Sequence, residues 1–278
     1  MLVKCFNQCF TALMAQNEGL ALRYAARSDV GVRRESNEDS GYASARLLAV
    51  ADGMGGHAGG EVASSLAVTT LAALDERLPV TGADLQDALR GVARDVNHAL
   101  REMAEREPAL RGMGTTFTAM LWDGAAFALA HVGDSRAYML RDGALFQITH
   151  DHTLVQSLVD DGRITPEQAA EHPRRSMVLR VLEGTGDGEL DLTLREARPG
   201  DRYLLCSDGL TAVVGPETLF NTLTDVGDPD EAARLLIDLA NRGGGPDNIT
   251  CVVADFGPHP ASAERLVVGA ATERRLTP

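Results

Sequence analysis

Residues 114–148 read GTTFTAMLWDGAAFALAHVGDSRAYMLRDGALFQI. Strand-like runs are broken there by Asp123-Gly124 and Asp142-Gly143, dipeptides that are the strongest short-range hairpin signals. Hairpin-linked strands are antiparallel, so this stretch decides the fold class. Working upstream, Leu47–Ala51 is a nearly continuous apolar run, the pattern of a strand buried on both faces, and Leu20–Ala26 also reads as a strand. Between them and the hairpins, apolar residues recur at helical spacing from Glu61 to Leu78. Leu85, Leu89, Val92, Val96, Leu100 and Met103 then form one stripe of a longer helix that Pro108 ends. Downstream, 151–180 is polar and irregularly helical, with Pro166 and Pro173 inside it. Strands resume at Leu190–Leu194 and Arg202–Cys206. Asp228-Pro229-Asp230-Glu231 supplies an N-cap, a proline at the first helical position and a capping-box acid. Gly243-Gly244-Gly245 stops that helix, and Ile249–Asp255 is a last strand. The order predicts an α+β fold with mostly antiparallel sheet, not an alternating βαβ chain.

The chain has 278 residues, 44% hydrophobic and 24% charged, ordinary values for a folded, soluble protein with a sizeable core. Lys+Arg number 26 against 40 Asp+Glu, for a net charge of −14. Such a surface repels phosphate backbones and anionic lipid, which argues against nucleic-acid partners and membrane attachment. No apolar run approaches the ~18 residues that span a bilayer. Four cysteines (Cys5, Cys9, Cys206, Cys251) are too sparse for a disulfide framework and fit a reducing cytosol. Residues 1–19 read as a loose N-terminal extension, 20–256 as one folded domain, and 257–278 as a tail.

Four aspartates each leave a strand-like run and enter a Gly- or Ser-containing turn: Asp52 in AVADGMGG, Asp134 in HVGDSR, Asp208 in LLCSDGL and Asp247 in GGGPDNIT. Asn37-Glu38-Asp39 adds two acids. One Asp before Gly is an ordinary turn former. Several at the mouths of buried strands are costly unless they meet a cation, and they could converge on one cleft. Oxygen ligands without paired His or Cys suit Mg²⁺ or Mn²⁺ rather than Zn²⁺. Two such ions would acidify a water and neutralise phosphoryl oxygens. Gly53, lacking a Cβ, lets its carbonyl approach an ion.

These motifs carry a resemblance. RYAARSDVGVRRESNEDS, LLAVADGMGGHAGGEVAS, GMGTTFTAM, HVGDSRAYMLRDG, YLLCSDGL and GGGPDNITCVV, in that order over 20–256, resemble the metal-dependent (type 2C) protein serine/threonine phosphatases, most closely the bacterial members that oppose receptor-type Ser/Thr kinases. The resemblance implies a four-layer αββα sandwich of two antiparallel sheets flanked by helices, with a metal cleft at one end. It implies two Mn²⁺ or Mg²⁺ ions: Asp52 bridges them, Gly53 gives its carbonyl to one, Asp208 and Asp247 hold the other, and Glu38 and Asp39 act beside them through water. For the third ion that bacterial members often bind, Asp134 and Asp208 match the ligands and Ser176 of the flap-like segment 151–180 lies near. Arg34 sits where the family places its phosphate-binding arginine, with Arg33 adjacent as the alternative. The implied reaction is a single in-line displacement by a metal-bound hydroxide on phosphoserine or phosphothreonine, without a phosphoenzyme. His57 is the candidate proton donor, although DGMGGH has extra residues where relatives place the His directly after DG. Implied partners are phosphoproteins, Ser/Thr kinases and their targets; a cytoplasmic monomer is expected. Ala212 stands where many relatives carry an acid, and 178–192 departs from the family's small-residue pattern.

Two other readings compete. Gly53-Met54-Gly55-Gly56-His57-Ala58 fits G-x-G-x-x-A after a strand, with Asp75 about 20 residues on, as in dinucleotide-binding folds. Asp52 would repel a pyrophosphate, and a second helix rather than a strand follows the first. A catalytically inactive, phosphatase-like regulatory module is the other alternative; a missing ligand would mark it, and none is missing.

Overall fold

In the computed structural model, which describes residues 20–55, 59–77, 84–124, 126–260 and 262–274, the strand at Leu47 runs from Leu47 to Met54 (β3). Its side chains alternate between two cores. Leu47, Ala49 and Ala51 pack against helices, while Leu48 and Val50 face the second sheet. That double burial is why this strand shows no polar alternation.

Around β3 lie β1 (Ala21–Asp29), β2 (Asp39–Ala43), β4 (Gly114–Thr115), β5 (Phe117–Trp122), β6 (Ala126–Val132), β7 (Arg136–Arg141), β8 (Ala144–Gln147), β9 (Asp191–Glu196), β10 (Arg202–Cys206), β11 (Ile249–Gly257) and β12 (Leu266–Gly269). Among the described residues they form a five-stranded sheet ordered β1-β11-β10-β7-β8 and a seven-stranded sheet ordered β12-β2-β3-β5-β6-β9 with β4 against β3. The ladder pairings are antiparallel. The hairpins fall where expected. At the β7–β8 turn both Asp142 (φ 52°) and Gly143 (φ 73°) take the left-handed conformation that a two-residue loop needs.

The sheets stack on a middle core that includes Leu22, Met120, Phe127, Tyr203 and Phe256. Helices α1 (Gly59–Arg77) and α2 (Leu85–Arg106) cover the outer face of the larger sheet. The predicted stripe of α2 is the buried one, save for Met103, which packs at its margin. Short helices α3 (Leu154–Asp160) and α4 (Pro166–Ala170) lie in the 151–180 segment. After β10 come α5 (Asp208–Thr211), α6 (Pro216–Asp225) and α7 (Pro229–Arg242); the last two cover the smaller sheet. Asp228 caps α7, accepting from the Asp230 and Glu231 amides. The result is the four-layer αββα sandwich, so the expected fold class holds. No helix among the described residues is long and apolar enough to cross a membrane.

The expected tail at 257–278 needs correction. Leu266–Gly269 pairs with β2 as an edge strand, and Ala270–Arg274 forms a last helix, α8, whose Ala271 is fully buried. Arg265 bridges to Glu76 on α1 at 2.7 Å, and the Ala271 amide donates to Ser40 Oγ. Asp75, the acid a dinucleotide site would need, is instead buried and bound by Tyr42 Oη and Arg46. The extension 1–19 lies outside the described residues.

Candidate metal centre

Alternating strand directions bring five turns to one end of the sandwich. Asp39 opens β2 directly opposite Asp52 in β3. Asp208 begins the short helix after β10, Asp247 stands just before β11, and Asp134 lies in the β6–β7 turn. Close backbone packing draws these turns together. A Cβ on Gly53 would run into the carbonyl oxygens of Gly60 and Glu38, and one on Gly209 into that of Asn248. The glycine after Asp52 and the glycine after Asp208 are thus required by chain-to-chain approach.

The carboxylates press on one another. Asp39 is buried, and burial first, then the charges of Asp208 and Asp247, raise its carboxyl to about 7 against hydrogen bonds from Ser207 and Thr250. Asp134 is raised to about 7 by burial, then by Asp208 and Asp151. Asp52 stands well above the ordinary carboxylate value through burial and then Asp39, Asp208, Asp134 and Asp247. Asp208 is raised by burial and then by Asp247, with a hydrogen bond from Asp52 opposing. Glu38 is raised chiefly by burial, against the pull of Arg34. The nearby guanidinium groups are already engaged. Arg34 Nη2 donates to Asp247 Oδ2 at 2.7 Å, and Arg136 grips Asp151 through Nε and Nη2. Two arginines facing seven acids leave a surplus of negative charge in a desolvated place, which oxygen-liganded divalent cations fit. No three His, Cys, Asp or Glu side chains among the described residues close into a finished ligand set. The acids gather as one cluster in which each feels the charge of its neighbours.

Of the predicted residues, Arg34, Glu38, Asp39, Asp52, Gly53, Asp134, Asp208 and Asp247 thus meet at one end. Arg34 is the arginine turned to the acids, its pKa raised first by the hydrogen bond to Asp247 and then by the charges of Asp247, Glu38 and Asp52; Arg33 is exposed beside Gly244. Ser176 lines the same cleft, of about 540 Å³, as Asp134 and Asp208, together with Ala212 and Arg175. His57 lies outside the described residues. Cys206 and Cys251 are buried as expected.

Sequence reading missed the residues that hold the turns. Asn248 Nδ2 donates to the carbonyls of Val30 (2.8 Å) and Ser36 (2.9 Å), and its Oδ1 accepts from the Glu38 amide (2.8 Å). It thereby fixes the loop bearing Arg34 and Glu38. Ser207 Oγ donates to Asp39 Oδ2 at 2.6 Å, and Thr116 Oγ1 accepts from the Asp52 amide at 2.8 Å. The signal for the first two was their place beside Asp247 and Asp208 in the quoted motifs, and for Thr116 its place in GMGTTFTAM.

Comparison with known proteins gives this architecture its relatives. Residues 33–245 match the family described as Protein phosphatase 2C. The chain is 58% identical over 236 residues to the serine/threonine protein phosphatase PstP of Mycobacterium tuberculosis, covering 85% of this chain but 45% of that protein. It thus spans about half the length of that relative. It is 38% identical to the serine/threonine phosphatase stp of Listeria monocytogenes, covering 82% of this chain and 94% of the other. Among solved structures, the catalytic domain of PstP in complex with two manganese ions superposes with a TM-score of 0.80 at 55% identity, covering 86% of this chain and 99% of that one. With the family match spanning most of the chain, and relatives this similar over nearly the same residues, the chain belongs to the protein phosphatase 2C family.

Proposed function

We propose that this chain hydrolyses phosphoserine and phosphothreonine in proteins, using Mn²⁺ or Mg²⁺, and so counteracts Ser/Thr kinases. The observation that carries the reading is the convergence of Asp39, Asp52, Asp134, Asp208 and Asp247 from separate strand ends, with Arg34 turned toward them. Divalent ions held there supply the Lewis-acid charge that hydrolysis of a phosphate monoester requires.

Asp52, the Gly53 carbonyl, Asp208 and Asp247 are the proposed ligands of two ions, with Glu38 and Asp39 acting beside them through water. Asp134, Asp208 and Ser176 would serve a third. Arg34 presents a planar fork that binds and orients two phosphate oxygens. His57 is the proposed proton donor to the departing alkoxide. Among the described residues the thiols offer no alternative nucleophile: burial pushes Cys206 up to about 12 and Cys251 well above its ordinary value. Because the attacking group would be a metal-activated water, no protein nucleophile is required and a phosphoenzyme should not accumulate. Phosphoproteins, including Ser/Thr kinases and their targets, are the proposed substrates, met by a monomer in the cytoplasm.

The test is hydrolysis of a phosphothreonine peptide with Mn²⁺, with EDTA, and with Asp208→Asn. Turnover that needs the metal and is lost in the variant is the expected result. Near-normal turnover after loss of Asp208 would sink the two-ion reading. Mn²⁺ binding without turnover in the unaltered protein would favour a regulatory module instead.

A further inference from the structure

His152 stands at the root of the flap-like segment and is used by none of the chemistry above. Its amide donates to the Gly133 carbonyl at 2.8 Å, and its carbonyl accepts from the Leu179 amide at 2.7 Å. Its ring adds a third tie, because the Gly133 amide donates to Nδ1 at 3.1 Å. One residue thereby joins the turn that carries Asp134 to both ends of the flap. A backbone N–H can only donate, so Nδ1 is the acceptor and the proton of the neutral ring sits on Nε2. That nitrogen faces Asp191 Oδ2 at 3.0 Å. Arg180 Nη1 donates to Asp191 Oδ1 at 3.2 Å and lies 2.9 Å from the same Nε2. The ring is buried and stacks on His131 with centroids 5.0 Å apart. Burial lowers its pKa, which agrees with the neutral form.

We propose that His152 is a positioning residue for the cleft: through the Gly133 N–H···Nδ1 bond it fixes the Asp134 turn against the flap, so that Asp134, Ser176 and Asp208 line one space. The proposal rests on the reading of Asp134 as a metal ligand.

Two substitutions divide the ring's functions. Asparagine places its Oδ1 where Nδ1 stands, keeping the Gly133 bond and giving up Asp191. Glutamine places its amide nitrogen near Nε2, keeping Asp191 and giving up Gly133. Amide hydrogen exchange of 131–135 without added metal, and calorimetric titration with Mn²⁺, read the effect independently of turnover. His152→Gln should exchange about tenfold faster at 133–134 and bind Mn²⁺ about tenfold more weakly in the step that Asp134→Asn abolishes, as loss of one buried hydrogen bond implies. His152→Asn should stay near the unaltered protein in both. Equal behaviour of the two variants, or an asparagine variant that exchanges as fast as expected for glutamine, overturns the proposal even if His152→Gln fails to fold. Asp191→Asn leaves the Gly133 bond in place; fast exchange at 133–134 in that variant would also overturn it. If Asp134→Asn titrates like the unaltered protein, the ligand reading of Asp134 has failed, and the proposal falls with it. A lost step in Asp134→Asn without a difference between the two His152 variants refutes the role of His152 alone.

Discussion

Arg34 lies on the loop 30–38, where the amides of Val32 and Arg33 both donate to the Gly245 carbonyl, beside the bonds from Asn248. Its guanidinium is half exposed at the mouth of the acids and pairs with Asp247. A group placed to grip phosphate in both ground and transition states contributes uniform binding. Arg34→Ala should therefore raise KM by about tenfold or more, the effect of one charge-assisted bond, with a smaller change in kcat. Steady-state kinetics on a phosphothreonine peptide check this, and a fall in kcat at unchanged KM would refute it. His131 gives a second expectation at this scale. Burial first, and then the neighbouring His152, lower its pKa to about 4, while an unfolded chain titrates it near 6.5. Between those values the unfolded state takes up a proton that the folded state refuses. Its contribution is thus complete above about pH 6.5 and is lost as pH falls toward 4. Other groups titrate too, so the comparison is with His131→Gln. The stability difference between the two proteins should shift against the unaltered one by about 2 kcal/mol between about pH 7.5 and about pH 5. Urea unfolding at both pH values measures it. Four acids of the site, Asp52, Asp134, Asp208 and Asp247, were legible because each stands singly before a turn at a strand mouth. Asn248 was not, because its three hydrogen bonds reach 210 residues and more along the chain to a loop that composition leaves blank.

Elements were legible where one periodicity or one turn type decides them. The hairpins of β5–β8 and the N-cap of α7 depend on two to four adjacent residues, so the sequence carries them whole. Helix α2 shows what periodicity hides. Its apolar stripe was plain, yet Asn97 sits on the same buried side at 2% exposure. Asn97 Nδ2 donates to the carbonyls of Thr185 and Gly186, and its Oδ1 accepts from the amides of Glu183 and Gly184. Arg101, one helical turn on, donates to the Gly184 carbonyl. These contacts give 183–186 its shape, in the region where the sequence departs from the family pattern. Asn97→Ala strips the loop's buried amides of their acceptor, at a cost of about 3 kcal/mol. Urea denaturation should show that loss in the midpoint at constant slope. A variant within 0.5 kcal/mol, the ordinary range of a surface change, would show that the loop holds itself.

At the scale of the whole molecule, the C-terminal stretch is where sequence reading and structure part. LVVG is four residues long, preceded by Glu264-Arg265 and followed by Ala270-Ala271, and its partner β2 lies more than 220 positions away. So short an edge strand leaves no periodicity to detect, and its stability comes from a pairing that cannot be read locally. Yet it completes the larger sheet beside the site. Val268 pairs with Gly41, and a Cβ on Gly269 would run into the Asp39 carbonyl, so β12 backs the strand that carries Asp39. Arg265 adds ties to Asp75 and Glu76, and Tyr24 Oη donates to the Glu264 carbonyl. Deleting 262–278 removes these together and bares the edge of β2, whose residues are otherwise buried. Exposed edges also invite pairing between chains. The deletion should therefore lower Tm by about 10 °C, near what ~3 kcal/mol costs a domain of this size. It should also speed hydrogen exchange at 40–43 and promote association at high concentration. Calorimetry, exchange and light scattering on the full and shortened chains test this. An unchanged Tm with unchanged protection at 40–43 would show that β2 is held from its β3 side alone and that β12 is an ornament of the sheet.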